Sequence, residues 1–530
     1  MHDTLIQSLL KAECFPHPCA QTELIETHIS WIILTGDFAY KIKKPVNLGF
    51  LDFTSLAQRK QYCEAELKLN ARAAPEIYVG LVAIGGRPEA PSLNENDAED
   101  AFEYAIKMHQ FEQQHLFSEL CESGQLQREH IDQLADKVAA FHEQVKVAGT
   151  QSPYGDPEQI ITPMRQNFSQ IRELLESERD SIPATWLMQL EQVEAWTEST
   201  FERLRGLLLQ RQQEGFVREC HGDLHLGNIT LFRNHVTLFD CIEFNNDFRW
   251  IDVISDIAFL FMDLEDHQQP AFANRLLNNY LEQTGDYAGL RLLGFYKAYR
   301  AVVRAKIALF TLRGMADDQT TRDQLWMRYQ RYMDLAESCS HLPNRMVLTM
   351  HGLSGTGKST VAMRLVDRLG MVRIRSDVER KRLLQVDAHS HPEGALAQKL
   401  YSPDLTHKTY EKLAELTEHI LDAGLSVIVD ATNLKHWQRA RLQAVADSRG
   451  VPLCIAYCQA SMSVIKQWIQ KRLREDEDVS DAHLGIVDKQ IAGRDPLDRE
   501  ELKQTFIIHS NIIEETNELV GEIRKRFFNP

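Results

Sequence analysis

Apolar positions along the chain change period twice, and the changes divide it. Between residues 29 and 108 short apolar runs alternate with polar positions at a spacing of two, the mark of strands with one buried face. Residues 29–34 and 38–42 flank Thr35-Gly36-Asp37, which predicts a hairpin. Residues 79–84 and 103–108 predict two further strands, 59–73 a helix between them, and 1–25 a short helix and a loop. From Leu126 the spacing becomes helical, with Ile131, Leu134, Val138, Ala139 and His142 on one face. Helices are expected at 160–178, 186–213, 249–264, 271–281 and, as one long segment, 290–338. A small antiparallel lobe followed by a helical lobe is an α+β arrangement.

Beyond a polar stretch at 337–344, which contains Pro343, the pattern changes again. Short buried strands at 347–350, 372–375, 426–430, 453–458 and 506–509 alternate with helices at 360–369, 407–423, 437–448, 461–474 and 511–526. Ser480 is expected to open a further helix, and 386–404 reads as a loop or lid. Strand–helix alternation predicts a parallel, doubly wound α/β sheet. The domains are therefore placed at 1–340 and 345–530, joined by a linker short enough to keep the halves in contact.

Composition narrows the function classes. A chain of 530 residues is long for one domain, and 43% hydrophobic with 25% charged residues is ordinary for a globular protein. A net charge of −17 argues against an extended nucleic-acid or membrane surface, though not against a local basic pocket. The nine cysteines form no CxxC pair, so reduced thiols are expected. No apolar run is long enough to cross a bilayer, and 257–262 is flanked by Asp256 and Asp263, so no membrane span and a cytoplasmic location are expected.

Two constellations carry chemistry. Gly352 to Ser359 fits G-x-x-x-x-G-K-S/T at every fixed position, between a strand and a helix. Such a loop curls backbone N–H groups of Gly352, Ser354, Gly355, Thr356, Gly357 and Thr360 around phosphates and adds the positive end of a helix dipole. Lys358 then reaches the β/γ-phosphates of ATP, and the Ser359 hydroxyl holds Mg²⁺. Asp377 and Asp430 end the neighbouring strands, on the side where ligands bind in such sheets, and Asp430 is a second Mg²⁺ candidate. Arg380 follows Asp377 by one helical turn, and Arg472 and Arg474 stand where a lid would bring guanidinium groups to a phosphoryl. A helix cap at Asp377 and a solvated helix end at Arg472 and Arg474 are the structural alternatives.

RSDVER (375–380) and VDATN (429–433) resemble the polynucleotide-kinase-like P-loop kinases, over about 345–530. That resemblance implies an Asp377 that activates an acceptor hydroxyl and an Arg380 that orients it.

The second constellation is CHGDLHLGNITLF followed by VTLFDCIEF. His221, Asp223 and Asn228 have the kinase catalytic-loop spacing H-x-D-x-x-x-x-N, and Asp240 ends the next apolar strand. Here the sequence resembles the aminoglycoside-phosphotransferase and choline-kinase branch of the protein-kinase-like fold, over about 25–335. The resemblance implies Asp223 as catalytic base, Asn228 and Asp240 as Mg²⁺ ligands and Lys41 on the α/β-phosphates. It also implies Glu66, with Glu64 as the alternative, as the partner of Lys41, and Met108 near an adenine hinge. Asp252 and Asp256 resemble that branch's following acidic helix, and His225 reads as a loop histidine bonded to backbone. One departure stands out: no G-x-G-x-x-G precedes Lys41, and the hairpin offers only Gly36. As a whole the chain resembles bacterial bifunctional aminoglycoside phosphotransferase/ATP-binding proteins, a name that describes motifs. The expected function is ATP-dependent phosphoryl transfer to a hydroxyl-bearing acceptor at two sites. The rival is a regulatory or scaffold protein with a nucleotide switch and a binding module.

Overall fold

The computed structural model describes residues 2–49, 51–94, 100–149, 151–178, 182–314, 318–341, 344–388, 390, 392, 394–475 and 484–528. The chain forms two compact units, Met1–Ser169 with Phe201–Asp263, and Gln170–Thr200 with Leu264–Pro530.

The first unit contains strands β1 (Glu23–Glu26), β2 (Ser30–Leu34), β3 (Phe38–Lys43), β4 (Tyr78–Arg87), β5 (Ala90–Asn94) and β6 (Glu103–His109). They form one antiparallel sheet in the order β1-β2-β3-β6-β4-β5. Successive side chains leave a strand on opposite faces. Tyr40 and Ile42 of β3 therefore enter a core with Leu5, Ile6 and Leu9 of the N-terminal helix, while Ala39 joins the core under the helix Leu56–Asn70 with Cys63 and Ile106. The same alternation puts Lys41 and Lys43 on the helix side, where Glu66 waits. Ser55 and Gln58 start that helix with a reciprocal capping box.

Further along, β7 (Val217–Glu219) pairs with β10 (Trp250–Asp252), and β8 (Ile229–Phe232) pairs with β9 (His235–Leu238). The β8–β9 turn has both central residues, Arg233 and Asn234, at positive φ (51° and 65°). That conformation matches the twist of a two-residue hairpin.

In the second unit, β11 (Val347–His351), β12 (Val372–Arg375), β13 (Val427–Asp430), β14 (Leu453–Gln459) and β15 (Thr505–His509) form an all-parallel sheet in the order β12-β13-β11-β14-β15. Its apolar strands are buried through Leu348, Met350, Ile428, Cys454 and Cys458, against Val361, Leu365 and Val366 of the helix Lys358–Leu369. The α+β and parallel α/β architectures expected of the two halves are thus both present.

Several elements differ from the sequence reading. The expected long helix at 290–338 is two helices, Leu290–Gly314 and Gln319–Ser338. The segment read as helical from 249 opens with the strand β10, and its helix begins at Val253, so Asp252 sits at the helix start and accepts the Ile254 N–H at 2.8 Å. Edge strands β1 and β5 were not legible, because short, largely exposed edges need no apolar alternation. The 386–404 segment contains the helix Gly394–Leu400. Ser480 lies outside the described residues. All nine cysteines are free thiols. Among the described residues no helix is long and apolar enough to cross a membrane.

Candidate functional site

In the first unit, Lys41 and Lys43 share one buried carboxylate. Lys41 Nζ donates to Glu66 Oε1 at 2.8 Å and Lys43 Nζ to Glu66 Oε2 at 2.7 Å. Each lysine holds a second acid: Lys41 reaches Asp240, and Lys43 reaches Glu243 beneath the Phe53 ring. Glu64, the alternative partner, has no such place; helix phase gives the buried position to Glu66. Burial works against the charge on Glu66, but Lys41 and Lys43 outweigh it and hold the carboxyl at about 2. Burial likewise works against Lys41, and Asp240 and Glu66 keep it well above the ordinary lysine value. Glu243 is pushed up by burial, with Lys43 pulling the other way.

Asp240 is the open member of this network, with its side chain 38% exposed against none for Glu66. It follows β9 at φ 63°, a left-handed conformation that Asp tolerates better than most residues. The turn is fixed by the Asp240 N–H to Tyr78 Oη (3.2 Å) and the Cys241 N–H to Asn70 Oδ1 (2.9 Å).

The loop His221–Asn228 is held from below by two acids of the helix Val253–Asp266. Asp256 accepts the N–H groups of His221 and Gly222, both at 3.0 Å, and lies 3.1 Å from His142 Nε2. Asp263 accepts the Leu226 N–H at 2.8 Å. Gly222 has φ 87°, and a Cβ there would meet Phe248 O at 2.7 Å, so the sharp turn before Asp223 requires glycine. Asn228 Nδ2 donates to Asp223 O (3.0 Å) and Oδ2 (3.2 Å), and Asp223 remains 40% exposed. His225 accepts the Gly227 N–H at 3.1 Å, a backbone bond of the kind expected for it. Asp252 is fully engaged by Arg211, at 2.7 and 2.9 Å. Met108 lies near the end of β6, opposite Ala39 of β3. In the short hairpin, Gln110 Oε1 accepts the N–H groups of Thr35 (3.0 Å) and Gly36 (2.9 Å), a tether in place of a glycine-rich loop. The Lys43–Glu243 pair and Asp263 were not singled out from sequence. The K-x-K alternation on β3 was the signal available for Lys43.

In the second unit the loop Gly352–Ser359 opens on a cavity of about 220 Å³. Gly352, Gly355 and Gly357 all have positive φ. A Cβ on Gly352 would come within 2.5 Å of Cys458 O, so β14 itself enforces that glycine. Gly357 is the N-cap of the helix Lys358–Leu369, whose first-turn residues Lys358, Ser359 and Thr360 line the cavity. Lys358 Nζ donates to Leu353 O (2.7 Å), as does Thr356 Oγ1 (2.8 Å). Ser354 and Gln490 form a closed pair: Ser354 N–H to Gln490 Oε1 (2.8 Å), Gln490 Nε2 to Ser354 Oγ (2.9 Å).

Asp377, Arg380 and Asp430 line the same cavity, with Arg375, Tyr401 and Tyr410. Asp377 does not cap its helix: the N-cap of Ser376–Arg382 is Arg375, with no side-chain cap bond. Arg380 Nη1 donates to Leu400 O and Thr406 Oγ1, both at 3.1 Å, and the guanidinium lies over Tyr401. Asp430 is buried, its Oδ2 has no hydrogen-bond partner, and Arg375 Nε stands 3.9 Å away. A buried oxygen without a donor, in one cavity with the Ser359 hydroxyl, fits a hard divalent cation. Below the loop, His351 Nδ1 meets Asn433 O at 3.1 Å, and burial pushes this imidazole down to about 4. Arg472 and Arg474 belong to the helix Met462–Glu475, but their side chains lie outside the described residues.

Residues 83–293 match the family model described as a phosphotransferase enzyme family, and residues 347–497 match one described as an AAA domain. The chain joins a phosphotransferase-family region to a P-loop kinase region. Uncharacterized proteins of Mycobacterium tuberculosis and Mycobacterium bovis are each 27% identical over 475 residues, covering 88% of this chain and 90% of the relative. Among solved structures, a choline/ethanolamine kinase family protein from Mesorhizobium loti is 12% identical and covers 63% of this chain and 99% of its own (TM-score 0.36). An unliganded sugar kinase from Janibacter is 21% identical and covers 34% of this chain and 94% of its own (TM-score 0.25). The phosphotransferase-family match over residues 83–293 supports phosphotransferase chemistry in general.

Proposed function

We propose that the chain is an ATP-dependent phosphotransferase with two sites, dividing functionally at about residue 340, each moving the γ-phosphoryl of ATP to an acceptor hydroxyl. The carrying observation is the shared cavity in which the glycine loop, Lys358 and the helix N-terminus meet Asp377, Arg380 and Asp430. Phosphoryl transfer asks for that combination: donors for the phosphate oxygens, a cation at the β/γ-phosphates, and a carboxylate facing the nucleophile. In this reading Lys358 leaves Leu353 O for the β/γ-phosphates and Asp377 takes the acceptor's proton. The new O–P bond then forms as the bond to ADP breaks. Arg380 orients the acceptor, and Arg472 is assigned to the moving phosphoryl. Ser359 and Asp430 would hold Mg²⁺, which neutralises phosphate charge when bound.

In the first part, Asp223 is the proposed base, with Asn228 and Asp240 as the cation's ligands and Lys41, steadied by Glu66, on the phosphates. The tethered hairpin, without a glycine-rich loop, should bind nucleotide more loosely than a typical protein kinase does, with Lys41 and Glu66 carrying more of the positioning. The inferred location is the cytoplasm, where ATP and Mg²⁺ are available. The test is γ-labelled ATP with a panel of hydroxyl acceptors: nucleic-acid 5′ ends, nucleosides, sugars and aminoglycosides. Lys358→Ala should remove the P-loop share of Mg·ATP binding in the full chain. Asp377→Asn should spare binding and cut P-loop transfer by roughly 10²-fold or more, the usual worth of a general base. Unchanged nucleotide binding after Lys358→Ala would refute the reading of the loop.

A further inference from the structure

Strand β12 is an edge of the parallel sheet, and the helix Pro270–Thr284 packs against it. This helix lies within the region matched by the phosphotransferase model, yet it belongs to the same compact unit as the P-loop sheet. The seam is specific. Asn278 acts as a substitute strand: its Nδ2 donates to Met371 O (3.2 Å) and its Oδ1 accepts the Arg373 N–H (2.7 Å). Such pairing satisfies edge groups that would otherwise stay open.

One turn further, Glu282 meets two arginines of β12. Its Oε2 accepts from Arg373 Nη2 at 2.8 Å and its Oε1 from Arg375 Nη1 at 2.7 Å, while its carbonyl accepts from Arg382. All three acidic and basic side chains of the Glu282–Arg373–Arg375 cluster are at most 16% exposed. Burial works against the Glu282 charge, but Arg375 and Arg373 hold the carboxyl at about 2, so it is ionised throughout the neutral range.

Arg375 is also the residue whose Nε stands 3.9 Å from Asp430 Oδ2, the buried oxygen without a hydrogen-bond partner. Resting on the two-site reading above, we infer that Glu282 is a positioning residue of the P-loop site. It anchors Arg375 by Nη1 and so keeps the guanidinium from closing on Asp430, leaving that carboxylate available to a divalent cation. The P-loop site is then completed by a residue outside the segment 347–497 that carries its motifs. Without the anchor Arg375 is drawn toward Asp430, an opposite charge whose Oδ2 already stands 3.9 Å from its Nε.

The test uses the full chain and reads the share of ADP binding, by calorimetry, that Lys358→Ala abolishes, at stepped Mg²⁺ concentrations. Glu282→Gln keeps the shape of the side chain and removes its charge. It should raise the Mg²⁺ concentration for half-maximal binding about ten-fold, the usual scale for loss of a group that orients a metal ligand. Arg375→Gln alone should leave that concentration at or below the parent value, and adding Glu282→Gln to it should change nothing further. A purely structural role for Glu282 would instead give the same loss in the Arg375→Gln background. Equal Mg²⁺ dependence in the parent and Glu282→Gln, or an undiminished effect in that background, overturns the inference. If the parent shows no ADP binding sensitive to Lys358→Ala, the two-site reading fails and the inference with it. Should Glu282→Gln not fold, Glu282→Asp, which keeps the charge but draws it back from Arg375, carries the same expectation and the same refutation.

Discussion

Replacing Glu66 by Gln tests the electrostatic centre of the first unit. Glu66 is fully buried and receives both Lys41 and Lys43 at 2.7–2.8 Å. A neutral amide offers one acceptor oxygen and turns an NH₂ group toward the second ammonium. Breaking a buried ion pair by removing one partner costs about 3–5 kcal/mol. Lys41 keeps Asp240 and Lys43 keeps Glu243, so the lower end, about 3 kcal/mol, is expected. For a unit of this size about 2–4 °C is lost per kcal/mol, hence a fall in Tm of about 6–12 °C. Scanning calorimetry of the full chain measures it. The pH dependence gives a second reading. The Glu66 carboxyl lies at about 2, below its ordinary 4.5. Its stabilisation is therefore fully present above pH 4.5 and is lost as the pH falls toward 2. The Tm gap between parent and Glu66→Gln should be constant at neutral pH and narrow below 4.5. A neutral-pH shift under about 2 °C would refute the account, because the two lysines would then not depend on this carboxylate.

Three further outcomes are expected, at Asp240, Asp223 and His351. Asp240→Ala should weaken Mg²⁺-dependent nucleotide binding that survives Lys358→Ala, whereas Asp223→Asn should spare that binding and stop transfer, both measured by calorimetry beside a γ-labelled ATP assay. His351, pushed down to about 4 from an ordinary 6.5, takes up its proton in the unfolded chain first. The second unit should thus lose up to about 3 kcal/mol between pH 6.5 and 4, a loss that His351→Gln, which cannot protonate there, should largely remove in pH-dependent melting.

What the sequence determined by itself is local. The period of two on β3 puts Lys41 and Lys43 on one face, whereas the choice between Glu66 and Glu64 as their partner was settled only by how the helix packs. Glycine spelling fixed the phosphate loop, because residues 352, 355 and 357 need backbone conformations that other residues resist. The carboxyl end of an apolar strand puts Asp430 beside that loop, and Asp377 follows two residues after the end of β12. Tertiary structure decided the rest. Glu243 on Lys43, Asp256 and Asp263 beneath the His221 loop, Gln490 on Ser354 and Glu282 on Arg375 all join residues far apart in the chain. Periodicity reports which face a residue occupies, but not which distant charge will meet it there. That choice is made when sheets and helices pack, since a buried charge is tolerated only beside a partner that the packing itself brings.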